Sequence, residues 1–207
     1  MRATTRRVEI PGPAGRLECA IDASDGPPVG IALVAHPHPL HGGTLDNKVT
    51  QTLARAWVDL GWVALRPNFR GVGASAGKHD EGRGEVDDLA AVHGYAREAF
   101  GPAPFALAGF SFGTVMQLRL AGRLEAAGDP AVRMTLVGVA AAWADVPPAP
   151  AGTLVIHGER DETVPLAAVL DWARPQDLPV VVIPGADHFF HRKLHLIREL
   201  VRAAGAR

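Results

Sequence analysis

Residues 108–114 read Ala108-Gly109-Phe110-Ser111-Phe112-Gly113-Thr114, and this stretch decides the fold. Its Gly-x-Ser-x-Gly core sits between two contrasting patterns. Upstream, Phe105-Ala106-Leu107-Ala108 is a short apolar run of the kind that forms a buried strand. Downstream, Val115, Met116, Leu120 and Leu124 recur at helical spacing. A serine at a strand-to-helix turn, flanked by glycines, is a nucleophile-elbow arrangement. The turn forces strained backbone angles on the serine, and side chains at the flanking positions would strike neighbouring elements.

On both sides of this turn, apolar runs alternate with helical patterns. Residues 5–10 and 17–22 read as an antiparallel hairpin around Pro11-Gly12-Pro13-Ala14-Gly15. Residues 30–35 are continuously apolar, as in a strand covered on both faces. Asp46 or Asn47 can cap a helix carrying Val49, Leu53, Ala56, Trp57 and Leu60, which Gly61 stops. A short strand over 62–65 and a glycine-rich loop over 68–84 follow. A helix over 85–100 has Glu85, Asp87 and Asp88 in its first turn, favourable against the helix dipole. Beyond the elbow, strands are predicted over 133–142, 153–157 and 178–183. Helices are predicted over 166–173 and 189–204, the last with a stripe at Phe190, Leu194, Ile197 and Val201. This alternation predicts a single α/β domain over residues 1–207, with a mostly parallel twisted sheet and helices on both faces.

Composition narrows the function classes. The chain has 207 residues, 47% of them hydrophobic and 21% charged, as expected for a globular domain with a sizeable core. A formal net charge of −1 gives no global field for nucleic acid or an anionic membrane. The one cysteine, Cys19, excludes an intrachain disulfide and fits a cytoplasmic location. The arginines near the start are followed by no apolar segment of a secretory signal. The edge strands and Trp172 leave a homodimer open.

A serine hydroxyl needs a base to take its proton, usually a histidine oriented by a carboxylate. In open parallel sheets such groups lie in loops at the carboxyl ends of strands. Asp161 follows the strand ending near His157, and His188 follows the strand ending near Ile183. The order Ser111, Asp161, His188 is the one expected for an elbow of this type. Glu159, Glu162 and Asp145 compete for the acid role. Asp161 could instead cap the turn before Val164-Pro165, and His188 could simply begin the last helix.

With these residues in place, the sequence resembles the α/β-hydrolases, and more narrowly the small lidless bacterial serine hydrolases with a His-Pro-His-Pro-Leu loop. The resemblance rests on His36-Pro37-His38-Pro39-Leu40-His41-Gly42-Gly43, Asn47-Lys48, Arg70-Gly71-Val72-Gly73, Gly109 to Gly113, His157-Gly158 with Asp161 and Val164-Pro165, and Gly185 with His188-Phe189-Phe190. It implies an α/β-hydrolase fold without a lid domain. It also implies Ser111 as nucleophile, Asp161 as orienting acid and His188 as base, with no cofactor. The implied activity is cleavage of small or exposed carboxylic esters through an acyl-enzyme. Thioesterase, amidase, peptidase and acyltransferase activities would use the same triad.

An oxyanion hole needs backbone donors. Phe112 supplies one, directly after the nucleophile. The resemblance places the other at His38, whose amide survives between Pro37 and Pro39, which have none. Only residues 143–152 separate two strands where many α/β-hydrolases insert a lid, so an open pocket for a small-molecule ester is expected. Leu40, Phe110 and Trp143 are candidates for its wall.

Three rival readings remain. His36, His38 and His41 have a His-x-His-x-x-His spacing like that of metallo-β-lactamase-type hydrolases, but Leu40 stands where that signature has an aspartate. Gly71-Val72-Gly73-Ala74-Ser75-Ala76 matches a relaxed dinucleotide fingerprint, but no helix pattern starts at once, so the loop reads as shape, with Arg70 tying down backbone carbonyls. A non-catalytic binding protein on the same fold is the third.

Overall fold

The computed structural model describes residues 4–143 and 145–205. Residues 1–3, where the arginine-bearing start begins, Ala144 in the 143–152 connection, and residues 206–207 lie outside the described residues. Strands β1 (Thr4–Gly12) and β2 (Gly15–Ala23) form the expected hairpin, with Ile10 opposite Leu17. The remaining strands are β3 (Ile31–Ala35), β4 (Val63–Pro67), β5 (Phe105–Phe110), β6 (Arg133–Val137), β7 (Leu154–Gly158) and β8 (Val180–Ile183). Helices α1 (Lys48–Asp59), α2 (Arg83–Phe100), α3 (Phe112–Ala126), α4 (Leu166–Ala173) and α5 (Leu194–Gly205) are interleaved with them. One eight-stranded sheet results, in the order β1-β2-β4-β3-β5-β6-β7-β8. It is parallel from β4 to β8, and β2 joins it antiparallel to β4.

Strand periodicity divides the core in two. On β3, Ile31, Leu33 and Ala35 face one apolar layer, which α2 and α3 cover with residues such as Val86, Leu89, Val115 and Leu120. Ala32 and Val34 face the other layer, which α1 and α5 cover with Leu53, Trp57, Ile197 and Val201. Both sets are fully buried, which is why the run lacks the polar alternation of a one-sided sheet. Asn47 caps α1 as expected, its side chain accepting from the Val49 and Thr50 amides.

Two elements are shorter than the sequence suggests. The strand expected to reach residue 142 ends at Val137, because Gly138 turns the chain with φ +58°. The last helix starts at Leu194 rather than at 189. Phe190 and Arg192 have φ of 54° and 61°, incompatible with a helix, although Phe190 still fills the core that the stripe assigned it. Between β6 and β7, no helix or strand forms among the described residues. This connection packs on α4, where the Trp172 indole donates to the Pro147 carbonyl at 3.2 Å. Among the described residues, no helix is long and apolar enough to cross a membrane.

The 68–84 loop is pinned from its interior. The Ser75 hydroxyl donates to the Asn68 carbonyl and accepts from the Glu18 amide, while Asn68 and Ala74 donate to the Glu18 carboxylate. Arg70 does not hold backbone carbonyls. Its guanidinium takes a bidentate grip on the buried Asp88 carboxylate at 2.8 and 3.0 Å. Because α2 starts at Arg83, only Glu85 lies in its first turn, and all three acidic residues are spent on specific partners: Asp88 on Arg70, Asp87 on Arg123, and Glu85 on the Asp80 and Gly82 amides. The Gly71–Ala76 segment leads to no helix until Arg83, so it makes no dinucleotide cradle.

Candidate active site

The turn from β5 into α3 places Ser111 at φ 53°, ψ −121°, a backbone conformation that L-residues rarely adopt. Its amide donates to the Val137 carbonyl and its carbonyl accepts from the Thr114 amide and hydroxyl, so neighbours on two elements fix the strained turn. The flanking glycines are required by close approach. A Cβ on Gly109 would lie 2.6 Å from the Gly113 carbonyl oxygen, and one on Gly113 would lie 2.5 Å from that of Ala35. Gln117, one turn along α3, donates from its side-chain amide to the carbonyls of Leu33 and Ala108 at 2.8 and 2.9 Å. This buried amide ties the helix to both strands under the elbow.

His188, Asp161 and Ser111 converge at the carboxyl end of the sheet. His188 Nδ1 lies 2.7 Å from Asp161 Oδ2, and His188 Nε2 lies 3.1 Å from Ser111 Oγ. The carboxylate oxygen can only accept, so Nδ1 carries the proton and Nε2 is left to accept from the serine. Asp161 divides its two oxygens. Oδ1 accepts from the Thr163 and Val164 amides at 2.9 and 2.7 Å, the capping role, while Oδ2 faces the imidazole. All three side chains are buried or nearly so, which strengthens these contacts against solvent screening.

Comparison with known proteins identifies the family to which the fold belongs. A family model described as the α/β-hydrolase fold matches residues 40–151. The chain belongs to the α/β-hydrolase family. It resembles XC6422 of Xanthomonas campestris, described as an α/β serine hydrolase without lid, at 36% identity over 100% of this chain and 96% of that one, with a TM-score of 0.91. An α/β serine hydrolase homologue of Coxiella burnetii is 37% identical over 96% of both chains, with a TM-score of 0.88. Uncharacterized protein RP471 of Rickettsia prowazekii (strain Madrid E) is 34% identical, covering 88% of this chain and 81% of its own.

In this hydrolase the histidine ring is placed by small residues and an aromatic base. A Cβ on Gly138 would sit 3.4 Å from His188 Cε1, and Phe110 lies against the ring with centroids 4.9 Å apart. Phe110 is fully buried beneath His188, so it is not a pocket wall. Gly158 lets the β7 end approach the Ala186 and Asp187 carbonyls, bringing Asp161 under His188. Of the rival carboxylates, Glu159 accepts from the Gly185 amide; Asp187, next to His188 in sequence, holds exposed His191 at 2.6 Å instead. Buried His157 donates from Nε2 to the Val164 carbonyl at 3.0 Å and lies 3.5 Å from Asp161 Oδ2. Burial depresses its pKa, so it stays neutral beside the carboxylate.

The histidine-rich loop lies over the elbow. His36 is fully buried, with Nδ1 donating to the Pro37 carbonyl at 2.6 Å and Nε2 accepting from the Phe69 amide at 3.1 Å. Both ring nitrogens are thereby spent on backbone, so His36 has no lone pair to offer a metal. Among the described residues, no cluster of three metal-ligating side chains forms. His38 rests its ring on Phe112, centroids 4.9 Å apart, and its carbonyl accepts from the His41 and Gly43 amides. Burial, with the neighbouring His41 and His79, lowers the His38 pKa. Leu40 is 69% exposed and lies off the pocket; its amide instead anchors the His38 ring through Nδ1 at 3.2 Å.

A cavity of about 230 Å³ adjoins the elbow. Its walls include His38, His79, Phe112, Val115, Met116 and Trp143. Ser111 borders this space through its neighbour Phe112 and is not itself a wall residue. Trp143, half-exposed, is on this wall as the sequence suggested. His79 and Arg119 also line it, and neither was expected. Arg119 was legible, since it continues the face of α3 marked by Phe112, Val115 and Met116.

Proposed function

We propose that this hydrolase cleaves carboxylic esters of small molecules by a serine acyl-enzyme route. The observation that carries the reading is the continuous hydrogen-bonded line from Asp161 through His188 to Ser111 at a strained turn. Ser111 Oγ attacks the ester carbonyl while His188 Nε2 takes its proton. Asp161 stabilises the imidazolium that forms and fixes its tautomer. The developing oxyanion accepts from the Phe112 amide, which as the first residue of α3 has no carbonyl partner within the helix. The second donor is the His38 amide, held over the elbow between two prolines. His188 then protonates the departing alkoxide, and a water activated at the same nitrogen releases the acid. Trp143 contributes to the wall that receives the substrate. Every proton transfer is accounted for by the three side chains, and no cofactor is required.

An active-site-directed fluorophosphonate tests this. The expected result is a single covalent adduct on Ser111 by mass spectrometry, with hydrolysis of short-chain esters abolished in step and unchanged by a chelator. Chelator-sensitive hydrolysis without an adduct on Ser111 would sink the reading.

A further inference from the structure

The cavity beside the elbow has a direction. Phe112, Val115, Met116 and Arg119 line it and are spaced at i, i+3, i+4 and i+7, one face of α3. Ser111 to Arg119 is eight residues, an axial rise of about 12 Å. This face of the wall therefore starts beside the nucleophile at Phe112, runs apolar through Val115 and Met116, and ends one turn further at a guanidinium.

Among the described residues, that guanidinium has no anionic partner, and its one hydrogen bond is from Nη1 to the Gly82 carbonyl at 3.4 Å, at the weak limit of such bonds. Neighbouring arginines are matched: Arg70 with Asp88, Arg83 with Asp80, Arg123 with Asp87. Glu81, the carboxylate on this wall, pairs with Arg83. Glu85 is fully buried behind His79 and held by two amides. Arg119 is partly buried, and Gly82 makes room for it, since a Cβ there would lie 2.9 Å from Nη1. A partly buried cation with most of its donors unused among the described residues, at the end of the apolar face of α3, is arranged to receive an anion.

The chemistry also says which part of the ester enters. The leaving alkoxide takes its proton from His188 Nε2 and must lie on that side. His188 is not on the cavity wall, whereas Phe112 and His38, beside the carbonyl oxygen, are. The cavity therefore takes the acyl chain.

We propose that Arg119 sets specificity, and that the preferred substrates are esters whose acyl chain is a medium-length apolar spacer ending in a carboxylate: half-esters of dicarboxylic acids. This rests on the ester-hydrolase reading above and narrows its substrate class.

The test compares monomethyl with dimethyl esters of succinic, glutaric, adipic and suberic acids, followed by methanol release. The quantity read is the ratio of kcat/KM, charged over neutral, at each chain length. The ratio cancels any general loss of activity in a variant. The wild-type ratio is expected to pass through a maximum of about 10- to 100-fold at an intermediate length, as for a hydrogen bond to a charged group. Arg119→Gln should bring that maximum below about twofold, and Arg119→Lys should keep part of it. A wild-type ratio at or below one for every length overturns the proposal, and needs no variant to fold. So does a maximum that survives Arg119→Gln. If dimethyl esters turn over through Ser111 in those cases, the hydrolase reading stands and the anionic-acyl inference alone falls. If neither ester series turns over and Ser111 takes no adduct, both fall.

Discussion

Two loops at the same end of the sheet each bury a histidine, and the two histidines do different things. His36, after β3, is fully buried with both ring nitrogens bonded, and so is His188, after β8, to within a few per cent. His36 is bonded to a backbone carbonyl and a backbone amide, neither of which can exchange a proton near neutrality. Its ring is a fixed strut between the β3 loop and Phe69. His188 is bonded to a carboxylate and a hydroxyl, one able to stabilise the charged ring and the other able to give it a proton. Burial and saturation do not separate a structural histidine from a catalytic one; the chemistry of the partners does.

The largest effect expected from this contrast is on turnover. His188→Ala should lower kcat for short esters by about 10⁴- to 10⁶-fold, because members of such a triad act as a unit. Circular dichroism and thermal unfolding should show the protein still folded. Turnover retained within tenfold would place the base elsewhere and erase the distinction between the two histidines.

Asp161→Asn comes next. The amide preserves the shape but can present an N–H to the imidazole and favour the wrong tautomer, for a loss of roughly 10⁴-fold in kcat. Near-normal turnover in this variant would mean that Asp161 only caps its turn and that another carboxylate orients His188.

The smallest effect is on stability and belongs to His36. Burial pushes its pKa down to about 4 from the usual 6.5. The unfolded chain therefore takes up a proton over a range where the folded chain does not. The stability contributed is fully present above about pH 6.5 and is lost as pH falls towards 4, about 3 kcal/mol in all. His36→Gln should be less stable than wild type at pH 7 by about 1–3 kcal/mol. Urea unfolding between pH 7 and 4 should show that gap closing. A gap of constant size would mean that His36 is not held neutral.

Much of the fold was legible in the sequence. The alternation of apolar runs with helical stripes located the strands and helices because each strand from β3 to β7 is covered on both faces. The lapses cluster where backbone departs from repeating geometry. Nothing in the run through residue 142 announces that Gly138 will turn the chain to admit the His188 ring. The stripe from Phe190 to Val201 is periodic, yet its first member is buried from a loop with φ of 54°. Within the site, Ser111, Asp161 and His188 were found from order and strand ends, and the structure brings their side chains together. Phe110 was misplaced because strand alternation turns it beneath the histidine, and Leu40 because its loop turns outward. Arg70 and Gln117 act through contacts between segments distant in sequence, which no local pattern encodes.

The backbone of Ser111 has a consequence for heredity. Its positive φ is disfavoured by about 1–3 kcal/mol for a residue with a side chain and almost not at all for glycine. Its neighbours would hold the turn in either case. A lineage with no use for the hydroxyl would gain stability by drifting to glycine at this one position, without disturbing the sheet or α3. A serine that persists there is therefore selected against its own backbone, and a glycine in a descendant would be an early sign that the chemistry had been abandoned while the fold was kept.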